Sequence, residues 1–240
     1  MQILIVHAHH EPQSFNGAMT RRAVEVLEGA GHTVTVSDLH AMGFDPVSDR
    51  RNFTTVADPD YLKQQAEEQY ASDHDGFAPE VLAEIEKVEA CDLMIFQYPL
   101  WWFGMPAILK GWVDRVFAMG RLYGGGKWYD AGALQGRRGL VAMTTGGPEP
   151  MYSAPAGEEG LNPPLDVILT PVHHGVFWFS GMHVLDPFIA WAPAHLDDDA
   201  RKAMLDDYAA HLLTQIEQAG APPPVVAEFP PPTFTRKLEE

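Results

Sequence analysis

Cysteine is almost absent from this sequence. Cys91 is the single one in 240 residues, so no intrachain disulfide can form and a reducing compartment is expected. Positive charge is also scarce: sixteen Lys and Arg stand against thirty-three Asp and Glu, for a net charge of −17. Such a chain repels nucleic-acid phosphates and anionic lipid, which argues against both as partners. The N-terminus, MQILIVHAHHEP, lacks a basic region and has too short an apolar run for a signal peptide or a membrane span, so no membrane insertion and a cytoplasmic location are expected. No GxGxxG, GxxxxGK[ST] or GxSxG occurs, which removes the usual dinucleotide-binding, P-loop and α/β-hydrolase readings. His7, His9, His10 and Glu11 invite a metal, but neighbouring extended residues face opposite ways and no second ligand cluster supports one. No metal is expected.

Apolar patterning, in contrast, is rich. At 46% hydrophobic composition the chain can bury one large core. ILIVH, HTVTVSDL, DLMIFQYPL, GLVAMTTGG and MHVLDPFIAW read as five strands. Between them, the stretch from Asn16 to Gly29, PEVLAEIEKVEA, PAILKGWVDRVF and HLDDDARKAMLDDYAAHLLTQIEQAG carry helical spacing, the last opening on acids suited to a helix N-terminus. Parallel strands need crossovers, and the crossovers cover both faces, so the alternation predicts a doubly wound α/β domain with a five-stranded parallel sheet. Residues 44–76 exceed what a simple crossover needs and read as an insertion with a helix near 60–72. The domain is expected to span 1–219, followed by a proline-rich tail at 220–240 that either packs as an extended arm or is partly disordered.

Open α/β sheets bind ligands beyond the carboxyl ends of their strands, and three of those ends are unusual. After the first strand, Ser14 and Asn16 precede a helix whose leading N–H groups suit a phosphate. The third strand leads into PLWWFG: adjacent rings of ~150–250 Å² each cannot all face the core, so part of the turn must meet a ligand or a partner. After the fourth strand, Thr144, Thr145, Gly146 and Gly147 bring backbone close to a flat ring, with Tyr152 as a proton handle. Phosphate, rings and backbone donors at one edge describe a flavin.

These same segments, HAHHEPQSFNGAM, SDLHAMGFDPVSDR, DLMIFQYPLWWFGMPAILKGWVDRVF, MTTGGPEPMYS, and VILTPV leading into FSGMHVLDP, resemble the NAD(P)H:quinone oxidoreductases of the DT-diaphorase type from the first strand to about residue 210. The resemblance implies a flavodoxin-like sheet of strand order 2-1-3-4-5 and FAD, rather than FMN, as cofactor. His9, Ser14, Phe15 and Asn16 would hold the diphosphate. Pro99, Leu100, Trp101, Trp102 and Phe103 would wall the isoalloxazine, with Trp101 turned towards protein. Thr144, Thr145, Gly146, Gly147 and Tyr152 would hold its pyrimidine side, and Arg201 the adenine end. Trp102, Phe103, Tyr123 and Phe179 would form the substrate pocket, completed by the second subunit of a homodimer.

It further implies two-electron quinone reduction by NADH or NADPH, with ping-pong hydride transfer and Tyr152 as the catalytic group that steadies charge on the reduced flavin. Two departures stand out. The family's histidine after the tyrosine is missing, Glu159 or Asn162 standing near, and a second pocket tyrosine is replaced by Gly125. A glutamine of the insertion aligns with either Gln64 or Gln65. The same site could serve an azo- or nitroreductase, and related flavodoxin-like proteins act as ancillary subunits of potassium-efflux systems. The acidic balance gives that docking role little support.

Overall fold

The computed structural model describes residues 1–153, 158 and 160–236. Its sheet holds parallel strands β1 (Gln2–His7), β2 (Thr33–Asp38), β3 (Leu93–Pro99), β4 (Arg138–Thr144) and β5 (His183–Val184) in the order β2-β1-β3-β4-β5, with a sixth short strand, β6 (Phe188–Ala190), also on β4. The expected order 2-1-3-4-5 holds. MHVLDPFIAW, read as one strand, is in fact two. His183 pairs with Arg138 and Val184 with Gly139, but Phe188 pairs with Ala142, so the outer strand carries one extra residue between its halves. Pro187 has no N–H to give to a ladder, and the strand breaks beside it as a bulge does.

Alternation in the three inner strands sorts side chains to two cores. Ile3, Ile5, Leu93, Ile95, Leu140 and Ala142 face α1 (Phe15–Gly29) and α6 (Asp198–Gln215), joining Met19, Leu27, Tyr208 and Leu212. Leu4, Val6, Met94, Phe96, Val141 and Met143 face the other way, against α3 (Pro79–Ala90), α4 (Ala107–Val116) and α5 (Leu165–Val172). A strand buried on both faces is apolar throughout, and β3 is buried at every residue. The helices begin as their sequences direct: Ser14 Oγ accepts from Gly17 N, Asp197 caps α6, and Pro79 opens α3.

The insertion is firmly docked. Its helix, α2, starts at Gln64 and ends at Asp73, a few residues later than expected. The buried Arg115 of α4 donates to Asn52 Oδ1 (2.6 Å) and Asp45 O (2.7 Å), pairs with Glu80 (3.2 Å) and lies over the Phe44 ring. Gly111 lets α4 approach Pro46 so closely that any Cβ would strike its backbone. The tail folds back: Val184 and Ala221 exchange backbone bonds, Trp178 Nε1 donates to Ala221 O, and Val226 N donates to Asp130. Between α5 and β5 a π-helical turn, His173–Trp178, follows Pro171, which lies inside the helix and supplies no N–H.

One polar hub ties the binding edge together. Gln97, with no exposed surface, donates to Asn16 Oδ1 (2.9 Å) and accepts from Tyr208 OH (3.2 Å), while Asn16 Nδ2 donates to Thr144 Oγ1 (2.8 Å). Gln97→Leu strands two buried polar groups, so the unfolding free energy should fall by about 2–5 kcal/mol. Urea titration gives the value, and an unchanged midpoint would show that the hub contributes nothing. A second expectation concerns acid. Burial holds the His173 imidazole down from 6.5 to about 4, so the stability it allows is complete above pH 6.5 and erodes as pH falls towards 4. His173→Leu should flatten the stability curve over that interval; a slope like the parent's would assign it to another group.

Candidate active site

The three loops that the sequence singles out lie together beyond the carboxyl edge. In the first, the His9 and His10 rings stack at 4.8 Å, and Trp101 of the second loop tilts against both. His9 Nδ1 accepts the Glu11 N–H (3.0 Å), so its proton sits on Nε2 in the neutral ring. Burial, and then the neighbouring His10, hold its pKa below the usual histidine value. His9 therefore offers a neutral N–H donor. His9, Ser14, Phe15, Asn16, Thr144 and Arg201 line one open groove of about 570 Å³ that runs from the first loop to the start of α6. Within it the side chains of Ser14 and Asn16 are already engaged, in the helix cap and in the Gln97 hub. What α1 presents to a ligand is its backbone N-terminus. Arg201 likewise spends its guanidinium on Asp198 and on the carbonyls of Leu196 and Pro193, leaving a held planar edge at the groove's far end.

The second loop answers why aromatics sit on a turn. Trp101 and Gly104 exchange two backbone bonds (3.0 and 3.2 Å), and both residues between them have positive φ, +51° at Trp102 and +57° at Phe103. This is the backbone of a tight mirror-image turn, normally built from Asn and Gly because a Cβ costs roughly 1–2 kcal/mol at each such position. Here it holds Trp102 with 99% of its surface exposed, beside a half-exposed Phe103. Leu100 N is bound to Thr144 O (2.8 Å), which fixes the loop to β4. Trp101 packs on the two histidines and keeps 41% of its surface exposed.

In the third loop, Thr145 Oγ1 donates to Gly147 O (2.8 Å) and accepts from Ala192 N (3.3 Å), so this hydroxyl shapes the loop. A Cβ on Gly146 would enter open space, whereas one on Gly147 would meet Met151 Sδ at 2.7 Å. Gly146 is thus the open face and Gly147 the packed one. Tyr152 is buried with its ring 5.4 Å from Trp191, a neighbour the sequence did not single out. Asn162 binds Met151 O through its backbone N–H (2.9 Å) and shares a 750 Å³ cavity with Tyr152. The other candidate for the missing histidine, Glu159, lies outside the described residues.

Tyr123 and Phe179 meet at 6.0 Å and line a separate cavity of about 440 Å³ that includes none of the residues of these three loops. Both insertion glutamines reach it: Gln65 Nε2 donates to Tyr123 OH (3.4 Å) and Gln64 Nε2 to Glu68 Oε1 (2.9 Å). Gly125 is exposed at φ +60° with open space beyond its Cα. Cys91 lies at the opposite end of β3, and burial pushes its thiol up to about 12, so it is no nucleophile. Among the described residues no three His, Cys, Asp or Glu gather to hold a metal, and no helix is long and apolar enough to cross a membrane.

A parallel sheet in this order, with its binding loops at one edge, defines a flavodoxin-like protein, and the flavodoxin-like fold family matches residues 1–212. The chain is 40% identical to ribosyldihydronicotinamide dehydrogenase [quinone] of Pongo abelii over 89% of its length and 91% of that protein's. It is 41% identical to NAD(P)H dehydrogenase [quinone] 1 of Cavia porcellus, over 87% and 75%. A crystal structure of a candidate quinone reductase from Klebsiella pneumoniae superposes with a TM-score of 0.86 at 34% identity, covering 92% of this chain and 86% of the other. The chain belongs to the NAD(P)H:quinone oxidoreductase family, whose members are flavin-dependent enzymes.

The strained turn yields a prediction. Trp102→Gly removes a positive-φ penalty and no packing, so the apoprotein should gain about 1 kcal/mol. Thermal unfolding measures it, and a loss of stability would mean that the ring is held by protein after all.

Proposed function

We propose that the chain reduces quinones by two electrons at the expense of NADH or NADPH, through a bound FAD, donor and acceptor alternating over one open flavin face. The observation that carries this is the groove joining the α1 N-terminus to the start of α6, with His9 at its mouth packed on Trp101 of an aromatic turn that keeps its rings exposed at a cost. Its length favours a dinucleotide: beyond a phosphate site at Phe15 and Asn16 it continues past Pro193 to Arg201 and Lys202. The flavin, when bound, supplies hydride acceptance and donation.

The chain's own residues bind, orient and keep water out. The α1 N–H groups and the His9 Nε2–H would hold the diphosphate, whose charge a helix N-terminus and neutral donors can hold without burying a cation. The backbone of Pro99–Phe103 would edge the ring system and Thr144–Gly147 would approach it from the other side, with Gly146 leaving open space there. Tyr152, buried against Trp191, would supply a hydroxyl donor to the bound ring system, a neutral group able to steady negative charge there. Trp102 and Phe103 form a platform against which a planar substrate stacks. Stacking of that kind holds two flat partners at near-attack distance, which can contribute ~7–11 kcal/mol at its best.

In a cytoplasmic homodimer, the Tyr123–Phe179 wall of a second copy completes the pocket, which accounts for that wall standing apart from the loops within one chain. The purified protein should be yellow and release FAD on denaturation; a colourless protein that takes up neither FAD nor FMN would overturn the reading. Tyr152→Phe should retain the flavin and slow its reduction by NAD(P)H about tenfold, in keeping with ~1.4 kcal/mol for one donor. Stopped-flow traces equal to the parent's would remove Tyr152 from the chemistry.

A further inference from the structure

We propose that Glu68 is a positioning residue for the substrate pocket: it sets the direction of the Tyr123 hydroxyl and thereby decides whether the pocket favours a carbonyl or a hydroxyl on a planar ligand. The inference rests on the quinone-reductase reading and deepens it, since quinone and hydroquinone differ in just this respect.

The geometry is a closed count of donors and acceptors. Glu68 is buried on α2, yet lines the same 440 Å³ cavity as Tyr123 and Phe179. Its Oε1 accepts from Gln64 Nε2 (2.9 Å), and its Oε2 accepts from Met119 N (2.7 Å) and from Tyr123 OH (3.2 Å). The Tyr123 oxygen in turn receives Gln65 Nε2 (3.4 Å). A phenol has one hydrogen and two lone pairs. While Glu68 is ionised, the hydrogen goes to the carboxylate and one lone pair to Gln65, so the remaining lone pair faces the pocket and accepts from a ligand hydroxyl. Once Glu68 carries a proton, its own O–H fills that lone pair, and the phenol hydrogen is released to donate to a ligand carbonyl. One proton on Glu68 reverses the polarity of the contact.

The surroundings suit this role. Burial is the largest influence on Glu68 and raises its pKa above the usual carboxylate value, against the three donors that lower it. Burial also raises that of Tyr123, so the phenol stays protonated. The other groups packed around the pair are already neutralised. Asp114, also at the cavity, pairs with Lys110 (2.6 Å), and Arg121 pairs with Glu89 (2.6 Å). Glu67, next on α2, turns away to Ala57 N, Asp58 N and Arg50. His174 reaches Phe179 only through Tyr129, whose hydroxyl it meets at 3.2 Å. Ser72 Oγ bonds the backbone of Glu68 and of Met119 and so holds α2 to the loop that carries Tyr123.

The test is binding to the full-length, oxidised, flavin-loaded protein, read from the perturbation of flavin absorbance between pH 5.5 and 8.5. The probes are menadione, which presents carbonyls, and 2-naphthol, which presents a hydroxyl. In the parent, the ratio of naphthol to menadione affinity should rise about tenfold across this range. Glu68→Gln can donate an amide hydrogen to Tyr123 at every pH, so the ratio should stay at its acid value throughout. Tyr123→Phe, which keeps the ring and the fold, should also give a flat ratio. A Glu68→Gln protein that keeps the parent's pH-dependent ratio would overturn the proposal; if that variant does not fold, a flat ratio in the parent, or an undiminished slope in Tyr123→Phe, would do the same. Flat binding with normal quinone reduction removes only the role of Glu68, whereas failure of both probes to bind at any pH, with no quinone reduced, removes the functional reading as well.

Discussion

The binding edge depends on a buried amide. Gln97 is the one polar side chain in the middle of β3, a strand otherwise built to be apolar on both faces, and through it four elements meet: β3 itself, α1 through Asn16, β4 through Asn16 and Thr144, and α6 through Tyr208. A fully buried amide must find its partners, and having found them it fixes the relative positions of the elements that carry them. The elements it joins are those from which the loop ahead of α1, the glycine loop and the Arg201 end of the groove project. The Leu100 N–H adds the aromatic loop by binding Thr144 O. Burying polarity beneath the site is how this fold keeps three separate loops in mutual register.

Above that rigid floor the chain spends conformational energy. Trp102 and Phe103 occupy backbone that glycine or asparagine would take without penalty, and among the described residues the Trp102 ring finds almost no cover and the Phe103 ring only partial cover. Strain of this kind persists only where surrounding bonds overdetermine it, here the double Trp101–Gly104 bond and the anchoring of Leu100. The second wall, Tyr123 with Phe179, is held by different means. Arg115 and Gly111 clamp the insertion to α4, and α2 then delivers Gln64, Gln65 and Glu68 to the tyrosine. The insertion is thus part of this cavity's framework, and its polar side chains hold the Tyr123 hydroxyl.

These two walls give the protein a division of labour that fits quinone reduction. The sheet edge carries neutral donors and backbone amides, suited to a large conjugated cofactor with a charged tail. The remote wall carries a tunable hydroxyl, suited to an oxygen that changes from acceptor to donor during the reaction.

Periodicity and end signals were enough to place five strands, the helices α1, α3, α4 and α6 and three unusual loops at one sheet edge, because a two-sided apolar strand, a helix cap and a run of ring residues at a strand end each reflect chemistry local to a few positions; the strand order came from the resemblance, and α5 was not read. Residue type alone likewise indicated that the PLWWFG rings could not all be buried. Tertiary structure decided the rest. Asn16 and Thr145 look like ligand donors by type but are spent on Gln97, Thr144 and the Gly147 carbonyl, since the partners that claim them are far away in the chain or appear only once the loop closes. The fifth strand divides at Pro187 because a missing N–H matters only when a neighbour offers a carbonyl. Glu68 carried no signal at all: an acid in an acidic helix reads as solvated, and only the packing of α2 against the Met119–Tyr123 loop removes its water and gives its proton a consequence.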